Sequence, residues 1–382
     1  MLSADNKQLR PLILDIGSST FRLGWAGDDS PEIIVPSVHV DATDYIFESD
    51  VVDGLAELFI EENTERHLYG LNALKYQNIL NIHEFKKENN YNIFSKFFHY
   101  YYQQLNIQSE YQNKQSIIVI SPFFMTELEK TKLEQIFFRD LNFPYLLFLS
   151  ESQAILQTLK KTTGVVVNMG ESNTYFSTIF HGFTNIMARD IFPIAGKDLT
   201  NYFLNMILTR KGSEENFYLD KWLAKEIKDK YSLCVLDAEG ESNSIRDGLT
   251  NYDQKVNFPD GSSLKINEER FMLSEPLFNP GLIHIDYFGL DEAIVKVIKS
   301  WDRENWEELL PNIILAGGGS LIPGLKERLK LELTKYFSEK IRDKINVFAV
   351  SGRENMSWIG ASILYSKKQL QEGWKPNPEY KG

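Results

Sequence analysis

The sequence predicts an α/β protein of two duplicated lobes, and three glycine-rich turns predict it. The first interrupts Leu12 to Trp25: Leu12–Asp15 is an apolar run, Gly17-Ser18-Ser19-Thr20 breaks it, and Phe21, Leu23 and Trp25 then alternate with Arg22 and Gly24, which reads as strand, tight turn, strand. The second follows Gly164–Val167, where Asn168, Gly170, Ser172 and Thr174 repeat the spacing of Asp15, Gly17, Ser19 and Thr20 with one extra residue. The two turns begin about 150 residues apart, so a unit used once is used again. The third, Gly317-Gly318-Gly319-Ser320, leaves the apolar run Ile313–Ala316 and leads past Pro323 into Leu325–Leu333, whose interleaved charges mark a helix.

Between these landmarks the elements follow from pattern. Phe85 to Gln104 carries the aromatic run Phe97-Phe98-His99-Tyr100-Tyr101-Tyr102 and reads as a helix packed into a lobe rather than a stacking platform. Lys197 to Val235 has helical periodicity, and Cys234 falls at its end between Leu233 and Val235 as an inert core thiol. Asp237 to Asp253 is rich in Ser, Gly, Asn and Asp and reads as an exposed loop.

Composition narrows the function classes. A chain of 382 residues can bury two sizeable cores without staples, and a single cysteine excludes a disulfide framework. With 53 acidic against 41 basic side chains the net charge is −12, which argues against a nucleic-acid surface held by phosphate contacts. The longest apolar stretches, such as Ser116–Met125, fall short of a membrane span, and Met1–Arg10 lacks the apolar core of a signal peptide, so an intracellular protein, cytoplasmic or nuclear, is expected. His39, His67, His83, His99, His181 and His284 show no metal-ligand spacing and read as surface or core residues.

The chemistry of the turns points to a nucleotide. Small residues let backbone amides converge on phosphate oxygens, and Asp15 at the end of a buried strand could hold a hydrated Mg2+, with Arg22 adding a fixed charge. Two such hairpins, one per lobe, with a third glycine turn beside a helix, would enclose the ligand in a cleft. Neither the Gly-x-x-x-x-Gly-Lys-Ser/Thr loop nor Gly-x-Gly-x-x-Gly after a strand is present, so conventional kinase and dehydrogenase folds are disfavoured.

Ile13 to Ser37 closely resembles the first nucleotide hairpin of actin. The resemblance continues in order through Ser152–Ala154, Thr162–Val167, Ala195–Thr200, Ile227–Lys230, Phe258–Gly261, Glu269–Phe271, Gly317–Gly319, Trp358–Gly360 and Glu379-Tyr380. It implies a divergent actin-related protein with the actin, hexokinase and chaperone-ATPase fold, and ATP or ADP with Mg2+ in the cleft. The implied cofactor-binding residues are Asp15, Gly17, Ser18, Ser19, Arg22, Gly170, Glu171, Ser172, Lys228, Asp229, Gly317, Gly318 and Gly319, with Asp15 holding the metal through water and Gln153 placing the hydrolytic water. The large subdomain of the first lobe would span 1–36, 84–160 and 350–382, and its small subdomain 37–83. In the second lobe the large subdomain would span 161–196 and 282–349, and the small one 197–281.

Departures from the family pattern are equally informative. Where the family has an aspartate and a histidine assisting hydrolysis, this chain has Asn168 and Tyr175; Glu171 lengthens a carboxylate, and Glu354 replaces a lysine near the adenine. Slow or absent hydrolysis is expected, and no enzymatic role. The segment His39 to His67 is longer than in actin and carries Glu48, Asp50, Asp53, Glu57, Glu61, Glu62 and Glu65, without a compact apolar tip flanked by glycines, where actin inserts an apolar tip into its neighbour. The chain after Trp374, with Pro376 and Pro378, lacks actin's aromatic C-terminal helix. Self-polymerisation is therefore not expected. The resemblance implies a structural subunit whose partners are other actin-related or actin subunits and complex-specific proteins, with neither nucleic-acid contact nor membrane insertion. Two settings suit such a subunit, the pointed end of the actin-like filament in dynactin and a nuclear chromatin-remodelling complex. Phe138 to Leu147 is similar to the former. A small-molecule kinase of the same superfold would need a substrate motif that is not seen.

Overall fold

The computed structural model describes residues 7–46, 66–85, 90–210, 219–258 and 261–380. The acidic residues from Glu48 to Glu65 and Pro259-Asp260 lie outside them. Strands β1 (Leu12–Ile16), β2 (Thr20–Trp25), β3 (Ile33–Pro36), β4 (His39–Asp41) and β5 (His67–Tyr69) precede helix α1 (Tyr91–Gln104). There follow β6 (Ile117–Ser121), α2 (Glu127–Gln135), β7 (Tyr145–Ser150) and α3 (Glu151–Thr158). Next come β8 (Gly164–Met169), β9 (Thr174–Phe180), β10 (Phe183–Phe192), α4 (Gly196–Leu208), α5 (Lys221–Tyr231) and α6 (Ala238–Arg246). The chain continues through β11 (Gln254–Asn257), β12 (Ser263–Ile266), α7 (Leu290–Lys299), β13 (Ile313–Ala316), α8 (Leu325–Thr334) and β14 (Val347–Phe348), and closes with α9 (Met356–Ser366) and β15 (Lys375–Pro376).

These elements form two compact units, residues 1–159 with 355–382 and residues 160–354. The first has a sheet ordered β15-β7-β6-β1-β2-β3, the second one ordered β10-β9-β8-β13-β14. Each sheet is built on the same plan. Three consecutive strands form an antiparallel meander, and the first of them pairs on its other side, in parallel, with a strand that returns after intervening helices. The duplication read from two turns is thus a duplication of topology.

In the first unit the sheet is apolar on both faces, as expected when helices cover both sides. Leu12, Leu14, Ile117, Val119 and Leu146 join the aromatic face of α1, with Phe21 and Phe97 edge to face at 5.0 Å. Their neighbours Ile13, Ile118, Ile120, Leu147 and Leu149 face the other way, onto Ala154 of α3 and Trp358 of α9. The aromatic run is therefore a packed helix, as its pattern implied. In the second unit Val165, Val167, Ile313, Leu315 and Val347 build one core with α4, α5, α7 and α8.

Two local readings need correction. The polar segment after Asp237 forms a helix, α6, because Asp237 accepts from the Gly240 N–H at 3.0 Å, Glu239 and Glu241 lie in its first turn, and Arg246 lies in its last. Cys234 lies beyond the end of α5, held by a 2.7 Å bond from its N–H to the Pro323 carbonyl. It is nonetheless buried, and burial pushes its thiol up to about 11, so it is inert as a nucleophile. Gly318–Leu321 forms a short 3-10 turn, and the helix expected after the third glycine turn begins at Leu325, where the sequence pattern placed it.

The chain after Trp374 also has a structural role. Lys375-Pro376 adds an edge strand to β7, where a proline lacking an N–H is tolerated. Asn377 is buried and fully bonded, donating through Nδ2 to the carbonyls of Phe138 and Phe143 at 3.0 Å each and through its N–H to Pro144 at 2.9 Å. Asn377→Ala strips two carbonyls of their donor and is expected to cost about 1–3 kcal/mol, read as a lower urea midpoint.

Candidate nucleotide site

The two hairpins can be compared atom by atom. Asp15 pairs with Arg22 across the first and Asn168 with Tyr175 across the second, each one step before the last pair of its ladder. Each turn is closed by its glycine, Gly17 N–H to Thr20 O at 3.0 Å and Gly170 N–H to Asn173 O at 2.8 Å. Thr20 thus corresponds to Asn173, not to the Thr174 that the sequence pattern had matched with it. Both glycines are required for the same reason: a Cβ would stand 2.6 Å from the Thr20 oxygen in one and 2.9 Å from the Asn173 oxygen in the other. Among the described residues, the N–H groups of Ser18, Ser19, Glu171 and Ser172 have no hydrogen-bond partner.

In the first unit, Asp15 and Arg22 are buried and paired at 3.3 Å, and the Arg22 Nε donates to Asn355 at 2.6 Å. Two of the guanidinium's donors are thereby spent on holding Asp15 and the start of α9. Ser37 steadies the turn, its hydroxyl donating to the Gly17 carbonyl at 2.8 Å and its N–H to Ser19 at 3.0 Å. Because β1, β6 and β7 are parallel, the hairpin and the first turn of α3, where Gln153 stands exposed, lie at the same carboxyl end of the sheet.

The second unit gathers more. The start of α4 lies on the hairpin, with Gly196 N–H donating to Gly170 O at 3.0 Å and Lys197 N–H to Glu171 O at 2.9 Å. Lys228 of α5 is buried and donates to the Gly196 carbonyl at 3.0 Å. Around the Glu171 carboxylate stand Lys225 at 3.8 Å and Lys228 at 3.9 Å, and Asp229 pairs with both lysines. Against the burial that would lower it, Glu171 and Asp229 hold the Lys225 ammonium above its ordinary value. Lys225 was missed from sequence; its signal is its position one helical turn before Lys228.

The third glycine turn packs on the second hairpin because β13 pairs with β8, Ala316 opposite Asn168. Gly317 has φ +82°, and a Cβ there would overlap the Asn168 side chain and the Met169 carbonyl. Its N–H donates to Arg353 O at 3.1 Å, and the Arg353 guanidinium returns to Ser320 Oγ at 3.1 Å and O at 2.8 Å. Next to it, Glu354 has one carboxylate oxygen buried with no hydrogen-bond partner. Asn168 itself is buried, and its Nδ2 donates to the Tyr175 hydroxyl at 3.2 Å.

Each unit therefore carries a glycine hairpin whose turn amides are unbonded among the described residues, at the carboxyl end of a duplicated sheet, and in the second unit Gly170 and Gly317 leave no room for a Cβ. That is the design of a phosphate-cradling, actin-type α/β protein, and the donors present fit a nucleotide. The actin family profile matches residues 6–382. An "Actin-like protein" of Neurospora crassa is 28% identical over 373 residues, covering 97% of this chain and 95% of that one. The chain belongs to the actin family. The family's fold binds a nucleotide with a divalent metal.

Proposed function

We propose that this chain is a structural actin-family subunit that binds ATP or ADP with Mg2+, hydrolyses it poorly if at all, and caps the pointed end of the actin-like filament in dynactin. The observation that carries the structural reading is the Asn168–Tyr175 pair, an amide on a phenol where the family works with a carboxylate and an imidazole. It supplies neither a charge to order a metal's water shell nor a base to take a proton. In this reading the Ser18, Ser19, Glu171 and Ser172 amides hold phosphates, Asp15 holds the metal's waters, and Lys228 with Asp229 borders the nucleoside. The metal's contribution is to neutralise phosphate charge.

A docking surface supports the subunit role. Strand β10 is an edge strand whose register shifts between Thr184 and Arg189, and there Phe183, Ile186 and Met187 are 77, 71 and 78% exposed. An apolar group of that size at a sheet edge marks a surface that a partner covers. The acidity of the segment between Asp41 and His67 favours a filament end, since its carboxylates would have to be desolvated against a following subunit.

Affinity purification followed by mass spectrometry tests the reading. Dynein and dynactin subunits are expected with the wild type, and Phe183→Asp with Met187→Glu is expected to reduce them roughly tenfold or more without lowering soluble yield. Recovery of remodelling ATPases instead, or of no assembly, would overturn it.

A further inference from the structure

In the second unit the chain leaving α5 is bonded residue by residue to its surroundings. The Lys228 carbonyl accepts from the Ser232 N–H at 3.0 Å, Leu233 N–H donates to Arg270 O at 2.9 Å, and Cys234 N–H donates to Pro323 O at 2.7 Å. Gly324 lies so close that a Cβ there would overlap the Cys234 carbonyl. The last link is Arg328 in the first turn of α8, whose Nη1 donates to Val235 O at 2.9 Å and to the Glu275 carboxylate at 3.2 Å. Its Nε donates to Glu332 at 2.8 Å, and the guanidinium lies 4.7 Å from the centre of the Phe278 ring. Arg328 and Glu332 are both buried, and Lys335 pairs with Glu332 from the rim.

Stability alone does not call for such a residue. Desolvating a guanidinium and two carboxylates costs about as much as their attraction returns, so apolar side chains of similar volume would hold the same packing as well. A guanidinium adds direction, because its donors are fixed in one plane and reach a carbonyl and two carboxylates at once. Here that direction ties together two elements that flank the second hairpin. One is α5, which carries Lys228 and Asp229. The other is the third glycine turn, whose chain runs through Pro323 and Gly324 into α8.

We propose that Arg328 is a positioning residue for the nucleotide: by pinning the exit of α5 to α8, it holds Lys228 and Asp229 in place against the third glycine turn. The role rests on the nucleotide site proposed for those residues and is exercised through them. It therefore concerns the nucleoside end of the ligand, whereas the amides of Ser18, Ser19, Glu171 and Ser172 hold the phosphates without it.

Calorimetric titration of the whole chain with Mg-ATP and with Mg-tripolyphosphate, which lacks the nucleoside, tests this. Arg328→Lys keeps the charge and loses the fork. ATP affinity is expected to fall about tenfold, the scale of one lost hydrogen bond, while tripolyphosphate affinity stays within about twofold. Glu275→Ala removes one arm of the clamp, leaves the guanidinium in place, and is expected to weaken ATP alone by about threefold. Unchanged ATP affinity in Arg328→Lys with a wild-type urea midpoint would overturn the proposal. So would equal weakening of both ligands, the mark of a general loosening. If Arg328→Lys does not fold, Glu275→Ala decides by the same two criteria. A wild type that binds neither ligand would overturn the nucleotide site itself, and the role of Arg328 with it.

Discussion

Gly360→Val is expected to prevent the first unit from folding stably. Helices α3 and α9 cross with their backbones in contact, and a Cβ at position 360 would be driven into the Ala154 carbonyl, which belongs to a helix and cannot swing aside. The crossing is locked on either side. Trp358 is fully buried with its Nε1 donating to Ile13 O at 2.9 Å, Ser357 donates to Glu151 at 3.1 Å, and Ser362 accepts from Gly27 N–H at 2.9 Å while donating to Asp28 O at 2.6 Å. Moving α9 away to admit a branched side chain would break those bonds together. Such overpacking is expected to cost at least about 3 kcal/mol, a large fraction of the 5–15 kcal/mol by which a domain is stable. Gly318→Ala is the control: nothing lies within 4 Å of a Cβ there, and a change of under about 1 kcal/mol is expected. Urea unfolding of the three proteins decides. A Gly360→Val midpoint near that of the wild type would mean that the helices can separate at little cost.

Gly360 also shows why so much of the fold was legible. Ala154, Trp358 and Gly360 were among the residues that carried the family resemblance, and the structure gives them packing duties rather than chemical ones. Gly17, Gly170 and Gly317 were legible for a related reason. Each stands where a backbone atom leaves no room for a Cβ, and that restriction is written into one residue type at one spacing. What went unread depends on partners distant in sequence. Helix α6 looked like a loop because its composition is polar, yet a cap, acidic residues at one end and an arginine at the other were enough to form it over buried Ala238 and Ser242. Pairing across β4 and β5 brought His39 and His67 together from residues with no common motif. Lys225 acquired its place from Glu171, which belongs to a hairpin far from it in the chain. The third glycine turn and the second hairpin were read separately, and only the parallel pairing of β13 with β8 brought Gly317 against Asn168.

That contact sets the second expected result. Asn168→Asp combined with Tyr175→His is expected to raise single-turnover ATP hydrolysis by about a hundredfold, the usual scale for a positioned acid–base group. The wild type is expected to release phosphate no faster than its Gln153→Ala variant. Asn168 is buried at the end of β8, with its amide nitrogen on the Tyr175 hydroxyl at 3.2 Å and its other end facing Gly317. Aspartate has the same shape and would bring a negative charge to that place. Alone it would accept a hydrogen bond from the Tyr175 hydroxyl, which would stabilise the carboxylate but leave the neighbouring position without a group that titrates near neutral pH. Histidine at 175 supplies one, so the double variant is expected to exceed the sum of the two single ones. Nucleotide affinity separates the possible causes of failure. The glycine cradle and the Glu171, Lys225 and Lys228 cluster are untouched by either substitution, so Kd for ATP is expected to stay within about threefold of the wild type. Retained binding with no gain in turnover would show that residues other than this pair keep the site silent, and a wild type that already turns over well above Gln153→Ala would show that the amide and the phenol suffice.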